Sequence, residues 1–177
     1  MVRIPNEEAF VTGENEDGEL VYDDFCRAPE LADIGRKLLS GPLSHLNDGQ
    51  LRIDYRWKLK GGSTGGNPVL GKCVKLSGPA KHYAGGADFL IWLAANWCDV
   101  EGFNDRQIEA LVYHELLHIT RTEKEDKDGE TVVKYGVRGH DFEGFFAELE
   151  QYGAWDRSFQ RLEEVVRQLP LPMELMV

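Results

Sequence analysis

The stretch "LVYHELLHIT", residues 111–120, carries two histidines four apart, His114 and His118, with Glu115 directly after the first. On a helix, positions i and i+4 share a face one turn apart, so the two imidazoles project side by side at a separation that suits one metal ion. Glu115 falls beside them but off direct ligation, where a carboxylate can act as general base toward a metal-activated water. The spacing predicts a zinc site of the HExxH kind. An ordinary amphipathic helix fits less well. Leu111, Val112, Leu116, Leu117 and Ile119 leave little solvent face, and a charged Glu115 among them is costly unless it is used.

Zinc in hydrolytic sites takes three protein ligands and keeps one position for water, so a third ligand is expected downstream. The extended motif would require Gly at 121 and His at 124; the chain has Arg121 and Lys124, which excludes it. His140, in "RGHDFEGF", precedes an amphipathic segment and is the favoured third ligand. Asp141 and Glu143 are the runners-up, and Glu148 is a further carboxylate on the same segment. His45, in a loop flanked by Gly and Pro, reads as solvated, and His82 reads as structural or surface. Tyr83, Tyr135, Tyr152 and Arg138 are each candidates for stabilising an oxyanion.

These residues need elements to hold them. Pro29 at a first helical position, Leu31, Ile34 and Leu38 on one face and Gly41 past the end predict a helix over about 29–40. "LRIDYRWKLK", residues 51–60, alternates strictly, with Leu51, Ile53, Tyr55, Trp57 and Leu59 on one side and Arg52, Asp54, Arg56, Lys58 and Lys60 on the other: a half-buried strand. "GGSTGG" reads as a flexible turn, because the Gly-Lys-Ser/Thr ending of a phosphate loop is missing. "VLGKCVKL" reads as a second strand and the apolar run at 89–95 as a central one. Asn104 with Gln107 three residues on predicts a capping box at the start of the motif helix. "EKEDKDGE" and "TVVKYGV" predict a hairpin at its exit, and "HDFEGFFAELEQYG" and "AWDRSFQRLEEVVRQL" predict closing helices stopped by Pro170 and Pro172. The reading is α+β: a small, mostly antiparallel sheet packed on the motif helix, with C-terminal helices. Residues 1–28 form a loosely structured arm and 29–177 a single domain.

Composition narrows the function classes. The 177 residues are 42% apolar, enough for one sizeable core. No signal-like apolar stretch stands at the N-terminus and no 18 apolar residues run together, which predicts a cytoplasmic protein without a membrane span. Cys26, Cys73 and Cys98 are odd in number and widely spaced, fitting a reducing compartment rather than a disulfide framework. The net charge of −11 argues against nucleic-acid binding by the whole surface. Residues 52–81 nevertheless carry seven basic side chains against Asp54. A basic strand face of Arg52, Arg56, Lys58 and Lys60 could therefore contact nucleic acid, although exposed lysines also guard strands against edge pairing.

"ALVYHELLH", the acidic Asp-Gly hairpin, "GHDFEGF" and "QYGAW", with "LGKCVKLSG" and "ADFLIWL" before them, resemble the phage metallopeptidase family, zincin-like proteins similar in style to SprT-like proteases. The resemblance is strongest over residues 50–156. It implies a minimal zincin-like domain, Zn²⁺ held by His114, His118 and His140, and Glu115 as the base. It departs at Gly144, where a second acid is expected. The function expected is a zinc metallopeptidase acting on a protein or peptide, within a host cell if the chain is phage-encoded. The alternative is a non-catalytic, zinc-stabilised binding protein directed at a host protein or a nucleic-acid complex.

Overall fold

Helix α1, Pro29–Ser40, starts where Pro29 supplies a ready-made helical φ and stops at Gly41, whose amide bonds back to the Leu38 carbonyl. Its stripe of Leu31, Ile34 and Leu38 is buried, each side chain worth roughly 1.5–3 kcal/mol on leaving water. The computed structural model describes residues 2–141, 153–154 and 157–169. The chain divides into two units, Met1–Arg138 and Gly139–Val177.

The first unit is built on a four-stranded mixed sheet. Strands β1 (Val11–Glu14) and β2 (Leu20–Tyr22) form a separate antiparallel hairpin, and β3 (Phe25–Arg27) enters the main sheet at one edge. β4 (Ile53–Lys58) follows α1, then come the two-residue strands β5 (Ser63–Thr64) and β6 (Asn67–Pro68), and β7 (Gly71–Lys75). Helix α2 (Gly78–Tyr83) leads to β8 (Phe89–Ala94), helix α3 (Ala95–Val100) and helix α4 (Asp105–Leu117). The sheet order is β3-β4-β8-β7, with β4 parallel to β8 and the other two pairs antiparallel. A hairpin of β9 (Ile119–Glu125) and β10 (Thr131–Val137) closes the unit.

One sheet face is apolar by alternation. Tyr55 and Trp57 of β4, Phe89, Ile91 and Leu93 of β8 and Cys73 of β7 are buried in one core with Leu31, Ile34 and Leu38 of α1 and Ile108, Val112 and Leu116 of α4. The α+β class read from the sequence holds, with a mixed central sheet. The "GGSTGG" turn is a miniature hairpin in which Gly65 and Gly66 both have positive φ.

Residues 2–28, read as a loose arm, carry a short 3-10 turn at Glu7–Phe10 and strands β1 to β3, with Phe10 buried. The strands are three or four residues long and mostly exposed, so the chain shows no hydrophobic period there. The basic face of β4 is spent on contacts within the unit. Arg56 pairs with Asp54 at 2.9 Å, and the Lys58 ammonium lies 4.9 Å from the Trp92 ring centre and 5.7 Å from that of Phe25.

In the second unit, helix α5 spans Arg157–Gln168 and carries ion pairs Arg161–Glu164 and Arg167–Glu163. The segment "HDFEGFFAELEQYG", beyond its first two residues and Gly153, lies outside the described residues, as do Pro170 and Pro172. No described helix is long and apolar enough to cross a membrane.

Candidate metal centre

The site begins with the start of α4. The Asn104 side chain accepts the Gln107 amide and the Gln107 side chain accepts the Asn104 amide, both at 3.0 Å, completing the expected capping box. Ile108, Val112 and Leu116, spaced by four, are buried and fix the rotation of the helix. His114 then lies on the outer side, and Glu115, 100° further round, turns to the core. His118 is the residue that closes the helix, still with helical φ and ψ, so the four-residue relation to His114 is kept.

The two rings stand side by side with centroids 5.1 Å apart and planes nearly perpendicular, at 84°. His118 Nδ1 is 2.8 Å from the carbonyl oxygen of Arg138. A carbonyl only accepts, so Nδ1 carries the proton and Nε2 is left as the donor toward a metal, the arrangement that fixes a ligand imidazole in one tautomer. Arg138 is itself held at the helix end. Its amide donates to the His118 carbonyl and its Nε to the Leu117 carbonyl, each at 2.8 Å, so an arginine meets the negative end of the helix dipole.

Glu115 is the one buried charged side chain among the described residues, 4% exposed. Its carboxylate lies against β7: a Cβ built on Gly71 would come within 2.7 Å of Oε1, and the Cys73 amide donates to the carboxylate. Burial pushes its pKa up to about 7, against the pull of the neighbouring His118 charge and the Cys73 amide. The Cys73 thiol, buried and facing the Glu115 charge, is pushed up to about 12. It is an inert core thiol; all three cysteines are free.

His140 follows Arg138 by two residues and is exposed, in the second unit. Among the described residues, His114, His118 and His140 are a group that could hold a metal ion, each offering one ring nitrogen. Neutral imidazoles are the donors that zinc and its neighbours in the transition series prefer, so this chemistry fits such an ion. Asp141 is exposed; Glu143 and Glu148 lie outside the described residues.

The other candidates fall elsewhere. His45 is exposed in a turn, and Tyr83 and His82 sit exposed on α2 against each other. The Tyr135 hydroxyl is occupied by Asp48, Arg138 braces the helix end, and Tyr152 lies outside the described residues. Sequence reasoning missed the carbonyl role of Arg138, the cradle at Gly71 and Cys73, and Asp48. Only Cys73 left a signal, its place on the inward side of an alternating strand.

No curated protein and no solved structure matches the chain. Paired imidazoles, one of them oriented by a carbonyl, beside a buried carboxylate with its pKa raised, are the equipment of metal-assisted hydrolysis. A family model described as "Putative phage metallopeptidase" matches residues 23–169, a wider span than the motifs alone cover, and the chain belongs to that family.

Proposed function

We propose that the protein is a zinc-dependent peptidase in which His114, His118 and His140 hold the ion and Glu115 is the general base. The single observation that carries this reading is α4 itself. One helix pairs two imidazoles, one of them orientated by the Arg138 carbonyl, and sets beside them a buried carboxylate. Zinc on such a site lowers the pKa of a water toward about 7 and polarises a peptide carbonyl. Glu115 takes the proton that the attacking water gives up and passes it to the departing amine as the peptide C–N bond breaks. Burial, which raises the Glu115 carboxyl above the ordinary carboxylate range in the metal-free chain, favours a group that can hold a proton and give it up again. His118, held by its Nδ1 proton, contributes orientation as well as a donor nitrogen.

The depth of Glu115 gives the rival reading its support, since a helix carboxylate buried against an edge strand could serve a zinc-stapled binding protein equally well. Elemental analysis and X-ray absorption on the parent and on His140→Ala separate the two. One zinc with three imidazoles and an oxygen from water, weakened in the variant, is expected. A closed shell of four protein ligands, or no bound metal, would move the assignment to the binding protein. Glu115→Gln should keep the metal and lose at least 100-fold in hydrolysis of a peptide found by library screening. Cleavage at the parent rate would remove Glu115 as base.

A further inference from the structure

Strand β7 is an edge strand, and its pairing with β8 alternates. The Leu76 amide donates to Asp88 and the Leu70 carbonyl accepts from Ala94, each at 2.8 Å, so the positions of β7 that exchange hydrogen bonds with β8 are the even ones. Gly71, Cys73 and Lys75 therefore turn their backbone groups away from β8, toward the open edge. At this edge the Glu115 carboxylate is received. It takes the Cys73 amide proton in a hydrogen bond and lies over Gly71, filling the space a side chain would need. The neighbouring Leu93 side chain and Trp92 carbonyl also close in on a Cβ at Gly71, at 2.9 and 3.1 Å, so little room exists for any larger residue to yield.

We propose that Gly71 and the Cys73 amide form a seat that positions the Glu115 carboxylate, Gly71 by leaving room for it and Cys73 by holding one oxygen. The proposal rests on the peptidase reading for its catalytic consequence. The seat itself is a property of the folded chain. Both are positioning groups: neither touches a reacting atom, and both act through Glu115. The rotamer of a long carboxylate side chain is otherwise free to swing, and a base misplaced by about 1 Å loses on the order of 100-fold in rate. A helix residue is here aimed by a strand, and the strand position that does so is the one without a side chain.

The first readout needs no turnover. In the metal-free full-length protein, backbone amide exchange followed by NMR should show the Cys73 amide protected although it faces away from the ladder. Glu115→Ala should raise its exchange at least tenfold, and Glu115→Asp, one methylene too short to reach, should do the same without adding an atom to the strand. Gly71→Ala should expose the Cys73 amide while the amides of Lys72 and Val74, paired with β8, stay protected. Metal content should be unchanged. With the zinc-loaded protein and a cleavable peptide, Gly71→Ala should lower kcat at least tenfold with KM within twofold of the parent, the split expected of a misplaced base rather than of a damaged binding surface. Cys73 exchange that ignores both Glu115 variants would overturn the seat. So would parent-like exchange and kcat in Gly71→Ala. If Gly71→Ala does not fold, Glu115→Asp decides by exchange alone. A parent that hydrolyses no peptide counts against the peptidase reading, while the Cys73 exchange still decides the seat.

Discussion

At the scale of single residues, Glu115 concentrates the chemistry because its surroundings pull in opposite directions. The core face of α4 takes it out of water, and the Cys73 amide and the His118 charge return part of the lost solvation. The balance lies on the side of burial, with a pKa of about 7 against an ordinary 4.5. The metal-free folded protein therefore holds a proton on Glu115 between pH 4.5 and 7 that the unfolded chain does not. The folded state binds more protons in that window, so this contribution to stability is fully present below pH 4.5 and lost as the pH rises through about 7. Its size is on the order of 3 kcal/mol. Glu115→Gln cannot titrate and keeps an oxygen for the Cys73 amide. In denaturant titrations of the metal-free protein, the variant should gain stability over the parent progressively from pH 5 to pH 8. Parallel stability curves for the two proteins would show that the carboxyl is not held out of water.

At the scale of elements, the hairpin of β9 and β10 matters because it ends at Arg138, whose carbonyl orients His118. It is fastened at the other side by Asp48, in the loop after the short turn Ser44–Leu46. Arg121 and Tyr135 are direct cross-strand partners, and both reach the same Asp48 oxygen, Arg121 at 2.9 Å. The second oxygen accepts the amides of Gln50 and Leu51. Burial alone would raise the Asp48 carboxyl, but the Tyr135, Arg121 and backbone hydrogen bonds outweigh it and hold the group well below the usual carboxylate range. Asp48→Asn should cost about 2 kcal/mol at pH 7, the scale of charge-assisted hydrogen bonds lost in a partly buried place, and should speed amide exchange across the hairpin. Because the folded pKa is lowered, the gap between parent and variant should persist to about pH 4 and narrow only below it, as the pH falls toward the folded value. A gap insensitive to acid would mean that the carboxylate charge contributes nothing. None of this clamp is legible in the chain, since Asp48, Arg121 and Tyr135 are 73 and 87 residues apart in the two bonds. What can be read is local. Pro29 and Gly41 bracket α1, Asn104 and Gln107 open α4, and an Asp-Gly step turns the hairpin, because caps and turns are satisfied by near neighbours. The parallel pairing of β4 with β8, the use of β3 as an edge strand and the seat at Gly71 arise only when distant segments meet.

At the scale of the whole molecule, charge and metal bear on stability differently. The net charge of −11 and the basic run over 52–81 suggest a surface divided by sign, yet Arg56 and Lys58 spend their charge on Asp54 and on the Phe25 and Trp92 rings. The metal has the larger leverage. Two of its proposed ligands lie at the end of α4 and the third follows the hairpin, so binding adds to the folded state what the unfolded chain, with its histidines scattered, cannot match. An ion present at about 100 times its Kd stabilises by roughly 2.7 kcal/mol. For a chain of this size that is a rise in Tm of roughly 5–10 °C. Calorimetry with and without a chelator should show that rise in the parent. His140→Ala should show a smaller one, and Glu115→Gln should show it in full, because the base is not a ligand. The comparison separates roles that activity alone confounds, since both variants would lose turnover. If chelation left the Tm of the parent unmoved, the three histidines would not be holding an ion at all. If Glu115→Gln lost the rise along with His140→Ala, the carboxylate would belong to the coordination shell, and the proton transfer would have to be assigned to another group.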